Sequence, residues 1–197
     1  MKIVVCGKGG SGKSTIATLL AKSMANSGYK VLVIDSDESN YGLHRQLGMK
    51  LPEDFINYFG GKKAMIERML ENLVLTENEL VIVDTDAGIE HFGRSVEQGC
   101  DIILAVIDPS FESLMLSNKI YLLADSINKP VYFVLNKVDD ESKQVMLAAV
   151  DSGNKIAGII PVNNDVFRAC LAGEELDLQL AEIDELAMFI RAGKTEK

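Results

Sequence analysis

The sequence is poor in the groups that would hold a transition metal or a disulfide framework. It has three cysteines, Cys6, Cys100 and Cys170, widely separated and forming neither a CxxC nor a CxC pair. An odd, dispersed set of this kind fits a reducing compartment and reads as small buried apolar residues. There are only two histidines, and His91 standing alone is a weak ligand signal. No apolar run reaches the ~18 residues of a membrane helix, and Ile3 to Cys6 is too short for a secretory signal. Basic charge is also scarce. The net charge is −9 and the pI about 4.8, which argues against nucleic acid as the main partner. A cytoplasmic protein is expected.

What is present is a globular balance, 47% apolar and 25% charged over 197 residues, suited to a single domain spanning the whole chain, 1–197. Short Val- and Ile-rich runs predict strands at Lys2–Cys6, Lys30–Asp35, Leu80–Asp84, Ile102–Ile107, Val131–Leu135 and Ile156–Ile160. They lack polar alternation, as strands covered on both faces of a parallel sheet do. Between them lie helical patterns near Lys13–Ser27, Gly61–Glu71, Phe111–Ile127, Ser142–Ser152 and Asp165–Leu171. Leu180–Arg191 closes the chain. The expected fold is α/β, a mostly parallel sheet between two helical layers. Ligands of such sheets bind beyond the carboxyl ends of the strands.

The first strand runs into Gly7-Lys8-Gly9-Gly10-Ser11-Gly12-Lys13-Ser14-Thr15 and then a helix. This is the GxxxxGK[ST] pattern in the context it requires. Glycine at 7, 9, 10 and 12 permits positive φ and close backbone approach, and successive N–H groups at a helix N-terminus face phosphate. Lys13 is expected on the β- and γ-phosphates, the Ser14 hydroxyl on magnesium, and Thr15 by the α-phosphate.

Lys8 directly after the first glycine makes the run GKGGSGKST. It resembles the deviant Walker A loop of the MinD/ParA/nitrogenase-iron-protein class of P-loop ATPases, and the resemblance implies the three-layer P-loop NTPase fold of the SIMIBI class. In that class the lysine crosses a dimer interface to the partner's nucleotide. Lys8, Lys13 and Asp37 are then the expected catalytic residues, within an ATP-dependent homodimer. The family carries an aspartate pair after strand two. By resemblance, Asp37 orients the attacking water and Asp35 supports magnesium. Glu38 stands where relatives usually have proline. Asp84, after an apolar strand, fits the Walker B role on magnesium. The following Thr85-Asp86-Ala87-Gly88-Ile89-Glu90-His91 is closer still to CooC, the accessory ATPases of carbon monoxide dehydrogenase, with Gly88 as a γ-phosphate contact and hinge.

Asn136-Lys137-Val138-Asp139 matches the NKxD pattern that reads guanine. The match alone suggests GTP, whereas the Lys8 pattern points to ATP, with Asn136 and Lys137 beside adenine. Pro161, Val162 and Asn163 resemble the family's second base-side loop, Pro161 and Val162 packing on the base. Val166–Glu174 resembles a helix and turn of the same class. CooC relatives carry a longer segment between the first switch and Walker B, with a CxC pair that binds nickel. Here Phe55–Leu70 leads quickly to Leu80 with no such pair. Either the chain is naturally short there or a stretch near Leu70–Asn72 is omitted, and an intact mass of 21.5 kDa would exclude omission.

Three functional expectations follow. The first is a switch ATPase that serves a metalloenzyme client such as carbon monoxide dehydrogenase, nickel or zinc being possible cargo despite the missing CxC. The second is a positioning or partition ATPase. The third is an amidating synthetase on the same scaffold. Glu182, Asp184 and Glu185 in the last helical stretch are unlike a basic membrane-binding face, so neither membrane nor nucleic acid is expected as a partner.

Overall fold

Both faces of every central strand are buried, which is why the strands read as unbroken apolar runs. In β1 (Lys2–Gly7) the odd residues Ile3 and Val5 enter one core and the even residues Val4 and Cys6 the other. The computed structural model describes residues 1–37, 42–50, 66, 69–86, 96–150 and 155–193. The remaining strands are β2 (Lys30–Asp35), β3 (Glu79–Asp84), β4 (Ile102–Ile107), β5 (Val131–Val138) and β6 (Lys155–Pro161). The helices are α1 (Lys13–Asn26), α2 (Leu43–Gln46), α3 (Val96–Gly99), α4 (Phe111–Ser126), α5 (Asp140–Val150), α6 (Asn164–Ala172) and α7 (Ala181–Ala192). All six strands pair in parallel, in the order β2-β3-β1-β4-β5-β6.

That order bears directly on function. The chain leaves β1, returns through β2 and β3 on one side, then crosses to β4 on the other. The carboxyl end of β1 is therefore the switch point where α/β sheets open a crevice. One core is built against α1 and α7 through Ile16, Leu20, Met24, Ile183, Leu186 and Ile190. The other is built against α4 and α5 through Ile120, Ala124, Met146 and Val150, with Ile66 and Leu70.

The expected strands and helices are found within a few residues of their predicted ends, with two additions and one correction. The four-residue helices α2 and α3 are too short to leave a periodic signal. Strand β5 runs on to Val138, so Asn136 and Lys137 lie within the strand rather than in a loop after it. Its pairing with β6 shifts between Asn136 and Val138, and Lys137 takes φ +58°. This single left-handed residue turns the strand end toward the phosphate loop. The predicted helix at Gly61–Glu71 falls largely outside the described residues, although 69–72 are helical.

Leu80 is fully buried at the amino end of β3, opposite the crevice. Leu80→Ala should lower the unfolding free energy by about 2–5 kcal/mol in urea titration and leave nucleotide affinity of the folded protein unchanged.

Candidate nucleotide-binding site

The loop between β1 and α1 adopts the backbone its glycines allow. Gly7, Gly10 and Gly12 have φ of +146°, +81° and +98°, and any side chain at Gly12 would run into the Asn136 amide. Helix α1 begins with no side-chain cap and no acidic residue in its first turn. Its first N–H groups and the positive end of its dipole are thus left for an anion. Lys13 is buried, its Nζ 3.5 Å from the Lys8 carbonyl oxygen.

The loop is also held from outside. Asn136 Nδ2 donates to the Ser11 carbonyl oxygen at 2.8 Å in a buried bond, and Lys137 Nζ donates to that of Gly10 at 2.6 Å. Two loop carbonyls are thereby bonded to side chains of residues that line the cavity. Ser11 itself is fully buried behind the loop.

Sheet register brings the carboxylates together. Asp84 stands opposite Asp35 on β2 and Val5 on β1. The Asp37 N–H donates to Asp35 Oδ1 at 3.0 Å, tying the two aspartates of the β2 turn. Asp84 is 1% exposed, and neither of its carboxylate oxygens reaches a hydrogen-bond partner. Burial pushes its pKa from 3.8 up to about 7, aided by Asp35 and Asp37 and opposed by the neighbouring Ser14 hydroxyl and the Lys13 charge. A buried carboxylate with orphaned oxygens beside a hydroxyl is a donor set for a hard divalent cation.

A cavity of about 740 Å³ opens over the loop, lined by Gly9, Gly10, Gly12, Lys13, Ser14, Thr15 and Asp37. Asn136, Lys137, Pro161, Val162 and Asn163 line it as well. Gly7, Lys8, Ser11, Asp35 and Asp84 do not line it, and Gly88 lies outside the described residues, as do Glu90 and His91. Asn163 contributes less freely than its position suggests, because its Oδ1 caps α6 by accepting from Asp165 and Val166 N–H at 2.9 and 3.0 Å. Asp139 is turned to the same use. Its Oδ1 accepts from the Ser142 N–H at 2.7 Å, which with the Ser142 hydroxyl holds its pKa below the usual carboxylate range. Asp139 does not line the cavity, so the NKxD match supplies no carboxylate for guanine.

A family model for the CobQ/CobB/MinD/ParA nucleotide-binding domain matches residues 2–176. The chain belongs to that family. It is 41% identical to an ATP-binding protein of Methanocaldococcus jannaschii, over 96% of this chain and 99% of the relative. It is 27% identical to the carbon monoxide dehydrogenase accessory protein CooC of Rhodospirillum rubrum, over 88% and 89%. The M. jannaschii alignment spans 248 positions, more than the 197 residues of this chain, so that relative holds internal residues with no counterpart here. In fold, the chain resembles the MinD cell division protein of Aquifex aeolicus, with a TM-score of 0.79 at 21% identity, covering 100% of this chain and 97% of that one.

The family is one of ATP-binding, ATP-hydrolysing P-loop proteins, and the phosphate loop and the three aspartates lie at one end of the sheet. Sequence reasoning missed other parts of the site. Gln46, Phe167 and Cys170 also line the cavity. Cys170 Sγ lies 3.7 Å from Thr15 Oγ1, and Gln46 meets both Thr18 and Cys170. No local signal marks Gln46, whereas Phe167 and Leu171 at i, i+4 with no buried residue on α6 do mark an exposed apolar face. Cys6 and Cys100 conform to the buried reading, their thiols pushed up to about 12 chiefly by burial.

In the nucleotide-free protein the raised pKa of Asp84 has a sign. The destabilising contribution of Asp84 is absent below pH 3.8, grows as the pH rises, and is complete above about 7, where the folded state carries the buried charge. Asp84→Asn removes that charge. It should raise the melting temperature of the nucleotide-free protein by several degrees at pH 8, with the gain shrinking toward pH 4, while ATP hydrolysis is lost. Differential scanning calorimetry across pH and a phosphate-release assay check the two halves.

Proposed function

We propose that this protein is an ATP-driven dimeric switch of the cytoplasm that serves a metalloenzyme, in the manner of CooC-type nickel insertion into carbon monoxide dehydrogenase. The observation that carries the switch is the placement of Lys8. It lies on the phosphate loop yet does not line its own protomer's cavity. Its Nζ instead donates to Ser110 Oγ at 3.1 Å and pairs with Glu112 at 3.6 Å. A cation beside the loop but turned away from its own nucleotide is suited to a partner's phosphates, where it would offset charge that develops in phosphoryl transfer.

Within each protomer, the α1 N-terminus and Lys13 would bind the phosphates. Ser14 and Asp84 would hold magnesium, with Asp35 in support. The metal would neutralise phosphate charge, and the orphaned Asp84 oxygens fit that role. Asp37, which lines the cavity with the phosphate loop, would orient the attacking water. Adenine would lie between the Asn136–Lys137 end of β5 and Pro161–Val162, consistent with Asp139 being committed to capping. Gly88 would contact the γ-phosphate.

The client reading rests on the Asp84–His91 run and on the CooC relative. Among the described residues no group of three His, Cys, Asp or Glu side chains converges on a metal-sized site, so cargo nickel would need ligands from outside the described residues or from the client. A positioning role, as in MinD or ParA, is the second reading, and the fold likeness to the Aquifex protein favours it.

Lys13→Ala should weaken ATP binding and dimerisation together, by at least ten-fold. Lys8→Ala should keep ATP binding and lose ATP-dependent dimerisation in analytical ultracentrifugation. An unchanged Lys8→Ala dimer would return Lys8 to an ordinary surface lysine. Equilibrium dialysis with Ni(II), with and without ATP, separates the client readings. The maturation role expects nucleotide-dependent uptake, and no affinity in any state, together with ATP-dependent co-sedimentation with vesicles or DNA, would support positioning instead.

A further inference from the structure

The wall of the cavity combines two chemistries. Glycines, Lys13 and hydroxyls suit phosphates, whereas Ile160, Pro161, Val162, Val166 and Phe167 offer nothing to an anion. The part of a nucleotide that an apolar wall suits is the flat base. Phe167 is the only aromatic among the described residues that line the cavity, and it is 63% exposed. The fold does not hold α6 by that ring. The helix is fixed by the Asn163 cap at its start and by left-handed Gly173 at its end. Its Val166, Ala169 and Cys170 pack against the core. Phe167 lies about 60° round the helix from Cys170, beside the packed face and on the cavity wall.

Asn164 precedes Phe167 by three residues, a spacing that makes two side chains neighbours on one helical face. It lines the same cavity and is exposed. Asn163 commits its Oδ1 to the N–H groups of Asp165 and Val166. The amide of Asn164 has no hydrogen-bond partner among the described residues. We propose that Asn164 and Phe167 recognise the base: the Phe167 ring stacks on the purine, and the Asn164 amide reads its edge in favour of adenine. Stacking accepts any base, because each has a π-face. The amide discriminates. It presents a donor and an acceptor side by side, matching N7 and the N6 amino group of adenine, whereas guanine offers two acceptors, N7 and O6, on that edge. The chain thus gains a means of preferring ATP although Asp139 is committed to capping. Seating the base also takes the Phe167 ring out of water. The inference rests on the placement of the base beside Pro161–Val162 given above, and adds the residues that hold and select it.

The test is isothermal titration calorimetry on the full chain with magnesium. The probes are ADP, GDP and inorganic pyrophosphate, which carries the anionic charge without a base. Diphosphates keep the measurement clear of hydrolysis and of triphosphate-dependent association. Wild type should bind ADP more tightly than GDP, and both more tightly than pyrophosphate. Phe167→Ala should weaken ADP and GDP alike, by about ten-fold, with pyrophosphate unchanged, and Phe167→Tyr should restore both. Asn164→Ala should cut the preference for ADP over GDP by about ten-fold, again with pyrophosphate unchanged. Both positions are exposed, and circular dichroism checks that the variants stay folded. A wild type that binds pyrophosphate as tightly as ADP overturns the base placement and this inference together. With the base placement intact, wild-type affinities for ADP and GDP in Phe167→Ala overturn the stacking role. An ADP preference that is absent from wild type, or that survives in Asn164→Ala, overturns the reading role.

Discussion

The hydrogen bond from Asn136 to the Ser11 carbonyl holds the phosphate loop in its binding shape. A loop of glycines has no preferred conformation of its own and loses much entropy on ordering. Here the amide at the end of β5 fixes one loop carbonyl and Lys137 fixes the next. Both bonds occupy carbonyl oxygens of the loop and hold its backbone in place. The same contact explains Gly12, whose missing side chain gives the amide its room. It also joins two strands, β1 and β5, that do not pair directly in the sheet. The end of β5 is thereby mechanically continuous with the phosphate loop.

A second tension runs through Asp84. The sheet places this carboxylate deep in the crevice beside Asp35, with no partner for either oxygen. Fold stability alone would not select such an arrangement, since a buried, unpartnered charge opposes folding. It becomes intelligible if a cation and a triphosphate arrive together. Binding then relieves the charge at the point where β3 leads into the segment that follows Asp84. A cation bound at Asp84 would return the stability that its burial costs, and would tie the folded state of the crevice to its occupancy.

Much of this was legible in the sequence because the signals were local. The apolar strands, the GxxxxGK[ST] loop and the aspartates that close β2 and β3 each carry their own pattern, and the structure brings them to one end of the sheet. What was not legible depends on tertiary context. The pattern of Asn136 to Asp139 reads as a guanine-binding loop. In three dimensions Asn136 and Lys137 serve the phosphate loop and Asp139 caps α5. Four-residue helices such as α2 leave no period to detect, yet α2 brings Gln46 to the cavity. The parking of Lys8 on Ser110 and Glu112 joins residues about a hundred positions apart, which no spacing rule reaches.

The central claim is that Lys8 serves the nucleotide of a second subunit. The most direct test is a crystal structure with magnesium and a non-hydrolysable ATP analogue. The account predicts a two-fold dimer in which Lys8 has left Ser110 and its ammonium lies on the partner's phosphate oxygens. A nucleotide-bound protomer with Lys8 still on Ser110, or reaching its own phosphates, would contradict it.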